Sequence, residues 1–158
     1  MSTEADPNDT AGVIAPPPLI FLSALGAGFL LSRQVGGGSL PAKVRLPVGA
    51  AALVAGTSLM RSFVQQFARA GTPLDPYKPS QVIVTDGPYR FSRNPAYLGM
   101  TLTYVGISLL SNSPRALAPL PVAIAVIDRG VIAREERYLE RKFGAPYLDY
   151  KARVRRWL

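Results

Sequence analysis

Two stretches of this 158-residue chain concentrate groups able to do chemistry. The first is GPYRFSRNPAYLG at residues 87–99, where Arg90 and Arg93 stand just before Asn94-Pro95 at the mouth of an uncharged apolar run. Asn94 suits a helix N-cap and Pro95 a first helical position. Irregular backbone at a helix N-terminus beside two guanidinium groups makes a good site for an anion such as a carboxylate. The same residues also suit a basic loop that grips anionic headgroups at a membrane surface. The second stretch, DRGVIAREERYLERKFGAPYLDYKARVRRWL at 128–158, carries the adjacent acids Glu135 and Glu136 among arginines. On a helix they project about 100° apart, and their mutual repulsion calls for cationic company. Such a pair could hold a polar, partly cationic ligand. The bland alternative is an amphipathic helix clamped to lipid by its arginines.

Asp128 and Arg129 interrupt an apolar stretch. Charges there either face a polar cavity or mark where the membrane ends and side chains snorkel. On a continuous helix Arg129 and Glu136, seven residues apart, share a face. Gly144 is placed to end that helix.

Much chemistry is excluded outright. The chain has no cysteine and no histidine, which removes thiolate nucleophiles, cysteine-ligated metals and the imidazole base. Lys and Arg number 18 against 10 Asp and Glu, a net charge of +8, yet only 18% of residues are charged and 48% are hydrophobic. A soluble nucleic-acid binder carries more charge and fewer apolar runs, so neither nucleic acid nor metal is an expected partner. Composition points to a small membrane protein. No positive segment precedes the first apolar run, so a secretory signal peptide is not expected.

The elements that must position these residues follow from four apolar stretches: Leu19–Leu31, Leu46–Met60 continuing to Phe67, Ala96–Leu110, and Ala116–Ile127 continuing to Ala133. Each falls short of the roughly 20 residues of a spanning helix unless its flanks are included, which leaves a soluble bundle as the alternative. Residues 46–60 and 96–110 hold no charge, which favours the membrane. The expected fold is an all-α integral membrane bundle of about four transmembrane helices. Residues 1–15 are a disordered start and 16–158 one domain, with two spans in 16–67, a loop at 68–95, a helical hairpin at 96–133 and a tail at 134–158. Pro73, Pro76 and Pro79 stiffen the loop, Gln81–Thr85 is β-prone, and Asp86-Gly87-Pro88 signals a turn. The basic loop and tail lie on one side, which the positive-inside rule makes cytoplasmic. Arg33, Lys43 and Arg45 then face outward, against that rule.

Taken together, GPYRFSRNPAYLG, two apolar helices and REERYLERKFGAPYLDYKARVRRW resemble the isoprenylcysteine carboxyl methyltransferase and phospholipid methyltransferase superfamily over roughly Gly71–Trp157. The resemblance implies a small membrane enzyme that uses S-adenosylmethionine without a Rossmann domain. It implies a cofactor site at Gly87, Pro88, Tyr89, Arg90, Asn94, Pro95, Tyr97, Leu98 and Gly99, with Glu135 and Glu136 helping to hold the cofactor. It places Arg93, Arg153 and Glu136 near the reacting groups. Two departures stand out: Asn94 where the carboxyl methyltransferases usually have histidine, and no Gly-x-Gly near Gly99 as in the phospholipid branch. The implied partners are membrane lipids and a lipophilic methyl acceptor. A carboxylate acceptor is ionised at neutral pH and needs no base. A thiol or amine, with pKa values of about 8.5 and 10.4, would need Glu135, Glu136 or Tyr97. That favours a carboxylate. The lack of cysteine and the small size fit a prokaryotic inner membrane. The rival from another class is a non-catalytic membrane protein that binds anionic lipid or a partner through its basic tail.

Overall fold

The computed structural model describes residues 10–35, 40–73 and 78–158, and they are helical with no strand among them. Helix α1 spans Pro17–Gln34, α2 Ala42–Ala70, α3 Pro95–Leu110, α4 Leu120–Ile127, α5 Ala133–Phe143 and α6 Ala145–Arg153. Short 3₁₀ turns lie at Gly87–Arg90 and Pro114–Leu117, and a π-helical turn at Asp128–Ile132 joins α4 to α5. Helix α2 and the continuous helical stretch Pro114–Phe143 are each long and apolar enough to cross a membrane; α3, at 16 residues, is shorter.

The closest pairing is the antiparallel packing of α2 on α3. It is built on small residues at seven-residue spacing, Gly49 and Gly56 on one helix and Gly99 and Gly106 on the other. A Cβ at Gly106 would lie 2.7 Å from the Leu53 backbone nitrogen and 2.9 Å from the Gly49 carbonyl oxygen. Backbones this close gain packing that larger residues would forbid, as helix pairs do in lipid. Gly99 therefore faces α2, with the Gly56 carbonyl oxygen 3.0 Å from its would-be Cβ.

Around this pair, Phe21 of α1, Tyr97 and Tyr104 of α3, Leu120 and Ile127 of α4, and Val131 and Ile132 form the main core. The Tyr104 hydroxyl satisfies itself by donating to the Ala116 carbonyl at 2.7 Å, which fixes the α3–α4 turn. The outward faces are apolar instead: Leu22 is 61%, Val54 64% and Val122 67% exposed. Large side chains turned outward on three helices suit a hydrocarbon surround better than water.

Three sequence expectations change. Of the segment expected to be disordered, residues 1–9 lie outside the described residues, and within 10–15 Val13 is buried while Gly12 and Ile14 are exposed. Val13 is in the core and the Gly12 carbonyl accepts Arg134 Nη1 at 2.9 Å. Gln81–Thr85 forms no strand; Ile83 and Val84 instead pack on Tyr89, Tyr147 and Tyr150. Pro76 of the proline-rich loop is outside the described residues. Asn94 does precede α3, with Pro95 at its first turn, yet its side chain does not cap the helix. Arg129 and Glu136 do not share a face either: Arg129 is exposed and Glu136 buried. The π turn is the reason, because its extra residue rotates everything after it by about 100° relative to a continuous α-helix. Gly144 ends α5 as expected, with φ 60°.

Candidate functional site

The loop before α3 and the C-terminal tail come together as a polar knot. Glu136, with a side chain only 6% exposed, accepts from Arg93 Nη2 at 2.8 Å and from Arg156 Nη2 and Nε at 2.6 and 3.1 Å. Arg93 Nη1 also donates to the Lys151 and Val154 carbonyls at 2.9 and 2.8 Å, and its backbone N–H to the Arg155 carbonyl. Asn94 Nδ2 donates to the Arg156 carbonyl at 2.9 Å, while Ser92 Oγ donates to the same oxygen and accepts the Asn94 N–H. Asn94 is thus turned toward the tail through its Nδ2, and its oxygen does not cap the helix. Arg156 reaches back to Asp128 at 3.2 Å, and Trp157 Nε1 donates to Asp128 at 3.0 Å. Glu136 holds the Arg156 guanidinium above its ordinary pKa. One tail arginine thereby ties together Asp128 and Glu136, eight residues apart, which share a side of the helix because of the π turn.

Next to the knot lies a cavity of about 610 Å³. Its walls come from α2 (Met60, Phe63, Phe67), the 78–84 segment, α3 (Tyr97, Met100), α5 (Glu135, Tyr138) and α6 (Tyr147, Tyr150). That volume is ample for a small-molecule ligand, and the lining is apolar and aromatic with few polar groups, as binding cavities are. Among the described residues Glu135 is the one carboxylate in its wall. The Tyr97 hydroxyl donates to both Glu135 oxygens, at 2.9 and 3.0 Å. Arg93 reaches the same wall, and its Nε is buried without a hydrogen-bond partner among the described residues. The cavity therefore sets a carboxylate and the cationic residues Arg93 and Lys78 among aromatic walls.

Tyr89, Tyr147 and Tyr150 in this wall are firmly neutral. Burial, and then the nearby Glu135 charge, pushes the Tyr89 phenol well above its ordinary pKa. Burial raises Tyr147 too, and carries Tyr150 up to about 12. They serve as donors and packing surfaces rather than bases: Tyr150 donates to the Tyr89 carbonyl at 2.8 Å, and Tyr138 accepts the Ser80 N–H at 3.1 Å. These contacts fasten the irregular segment and α6 over the cavity.

Of the residues singled out from sequence, Tyr89, Arg93, Asn94, Tyr97 and Glu135 line this cavity. Glu136 is one step away, inside the knot. Gly87 and Pro88 build the turn that presents Tyr89, with Gly87 at φ 61° where a side chain would be strained. Pro95 is buried at the start of α3, and Gly99 packs on α2. Arg90 is exposed, and Leu98 does not join the cavity wall. Arg153 is exposed as well, with its Nε on the Asp149 carbonyl at 3.1 Å. The tail arginine that enters the knot is Arg156. Sequence reasoning passed over Arg156, Asp128 as its partner, and Ser92. The signal was the chain's only tryptophan beside an arginine pair at the end of a basic tail.

A small helical protein with an aromatic cavity closed by its own C-terminal tail matches the phospholipid methyltransferase family over residues 44–146, and the chain belongs to that family. A protein of Haemophilus influenzae, described as uncharacterized, is 44% identical over 62 residues, which cover 39% of this chain and 98% of that protein. The protein-S-isoprenylcysteine O-methyltransferase of Saccharomyces cerevisiae is 36% identical over 73 residues, 46% of this chain and 30% of its own length. Protein-S-isoprenylcysteine O-methyltransferase B of Arabidopsis thaliana is 32% identical over 72 residues, 46% of this chain and 36% of its own. The chain therefore spans nearly all of the Haemophilus protein but only about a third of each of these two methyltransferases. No solved structure matches it.

Proposed function

We propose that this protein is a membrane-embedded methyltransferase that takes S-adenosylmethionine in the Glu135 cavity and methylates a lipophilic acceptor. The observation that carries the reading is the placement of Glu135 together with the cationic side chains Arg93 and Lys78 in the wall of one aromatic cavity. A ligand bearing both an ammonium and a carboxylate finds a partner for each there. The aromatic walls suit a flat purine and favour a cationic sulfur over their faces. Family membership and the named methyltransferase relatives support the same reading.

When bound, the cofactor supplies an electrophilic methyl group on a sulfonium, open to in-line displacement. The chain's own task is then to bind, orient and exclude water. Glu135, held by Tyr97, orients the cationic end. The 78–84 segment and α6 cover the cavity, while the knot of Arg93, Glu136 and Arg156 holds that cover in place. A carboxylate acceptor needs no proton removed, and Glu136, locked between two arginines, is not free to remove one. Both points favour O-methylation. In the membrane, α1 and α3 join α2 and Pro114–Phe143 as a four-span bundle, with the cavity and the tail at the cytoplasmic face of a prokaryotic inner membrane.

The test is methyl transfer from methyl-labelled S-adenosylmethionine into an organic-extractable product, using membranes that contain the protein. Label should appear with the wild type and fall to background with Glu135→Gln. Equal labelling by the variant would remove Glu135 from the site.

A further inference from the structure

The other end of the bundle holds a second cavity, of about 300 Å³, between the C-terminal end of α1 and the α3–α4 turn. Its wall contains Arg33 and Arg115 together with Ser32, Ser111, Asn112 and Ser113, and no acidic residue. It lies the length of α3 from the Glu135 cavity, about 24 Å for 16 residues. The Ser32 hydroxyl is buried without a hydrogen-bond partner among the described residues.

Charge at this end does not balance. The sequence has no Asp or Glu from residue 10 to 73 and none from 87 to 127, the two ranges that build it. Arg33, Lys43, Arg45 and Arg115 gather here. Some of that charge meets helix ends: Arg45 Nη1 donates to the Leu110 carbonyl and Arg115 Nη1 to the Val35 carbonyl, both at 3.3 Å. A helix C-terminus is worth only about half a negative charge, so α1 and α3 together offset roughly one of the four cations. Lys43 and Arg45 also stand near the N-terminus of α2, whose first turn has no acid and whose dipole opposes them. No acidic side chain in these ranges balances the remainder, which is left to water or to an anion from outside the chain.

We propose that the Arg33–Arg115 cavity binds the phosphate of an anionic phospholipid in the leaflet opposite the methyl-transfer site. Guanidinium forks and hydroxyls are the donor set that phosphate oxygens take. Val35, 60% exposed, and Leu30, 61% exposed, flank Arg33 with surface for acyl chains. The same anion accounts for cations on the side where the positive-inside rule expects few. The inference rests on the membrane-embedded reading but not on the cofactor assignment.

Native mass spectrometry of the detergent-purified protein, titrated with phosphatidylglycerol, phosphatidylcholine or inorganic phosphate, tests it. Phosphatidylglycerol should bind, and an Arg33→Gln, Arg115→Gln double variant should bind it at least about tenfold more weakly. Arg141→Gln, an exposed change at the opposite end, should leave binding unchanged. Equal affinity for phosphatidylcholine, or an equal loss in Arg141→Gln, would overturn the site. Inorganic phosphate binding as tightly as the lipid would overturn the lipid assignment. Should the double variant misfold, Arg115→Lys, which keeps the charge and loses the fork, should still weaken phosphatidylglycerol binding; unchanged binding there would overturn the site. S-adenosylhomocysteine binding in the same samples separates the two ideas. Lipid binding without cofactor binding would sink only the methyltransferase reading, and the reverse only this one.

Discussion

The two ends of this bundle handle charge in opposite ways. At the Glu135 end, Asp128 and Glu136 are matched inside the protein by Arg93 and Arg156, and the pairing welds the tail to the loop before α3. At the Arg33 end there are cations and no acids, so neutralisation is left to whatever lies outside. The first end spends these charges on architecture, while Glu135 lines the neighbouring cavity. A buried ion pair is weak support in itself but costly to break from one side, because the surviving charges are stranded. An exposed arginine has water or lipid to fall back on. The contrast therefore predicts where substitutions hurt stability and where they hurt only binding.

The largest effect belongs to Glu136→Gln, which strands the buried Arg93 and leaves Arg156 only its contact with Asp128. A loss of about 3–5 kcal/mol is expected in denaturant unfolding, together with early proteolysis of the tail. Glu135→Gln sharpens the comparison at a neighbouring position. It should lower S-adenosylhomocysteine affinity roughly 10- to 100-fold, the worth of one charge-assisted contact, with much less effect on unfolding than Glu136→Gln. Between the two ends, Gly106→Ala should cost about 1–3 kcal/mol by forcing α2 and α3 apart, read as a lower melting temperature. The smallest change is Arg115→Gln in lipid-free detergent, which should stay within about 0.5 kcal/mol of wild type. A large loss there would erase the contrast.

The sequence was legible where periodicity or local chemistry decides. Apolar runs located the helices, Pro95 and Gly144 marked two helix ends, and the adjacency of Glu135 and Glu136 called for cationic company, which Glu136 has in Arg93 and Arg156. The sequence read the two acids as one pair for a ligand, whereas Glu135 lines the cavity and Glu136 sits in the knot. What failed was geometry that no periodicity carries. The π turn at Asp128–Ile132 shifts the face of everything after it, so arithmetic on a continuous helix paired Glu136 with Arg129 instead of placing it beside Asp128. Resemblance singles out Arg153 in the tail; α6 ends at that residue, and the extended backbone at Val154 carries Arg156, which the sequence reading did not single out, back to Glu136. Asn94 suited an N-cap by residue type, but its Nδ2 donates to the Arg156 carbonyl, which turns the side chain toward the tail, and its oxygen makes no cap bond. Long-range contacts won over local preference in each case.

The central claim is that the cavity at Glu135 holds the methyl donor, and calorimetric titration of S-adenosylhomocysteine into the detergent-purified protein tests it most directly. Saturable binding to wild type and Arg115→Gln, weakened at least about tenfold in Glu135→Gln, is the predicted result. Equal binding by Glu135→Gln, or no binding by a wild-type protein that is folded and helical, would contradict it.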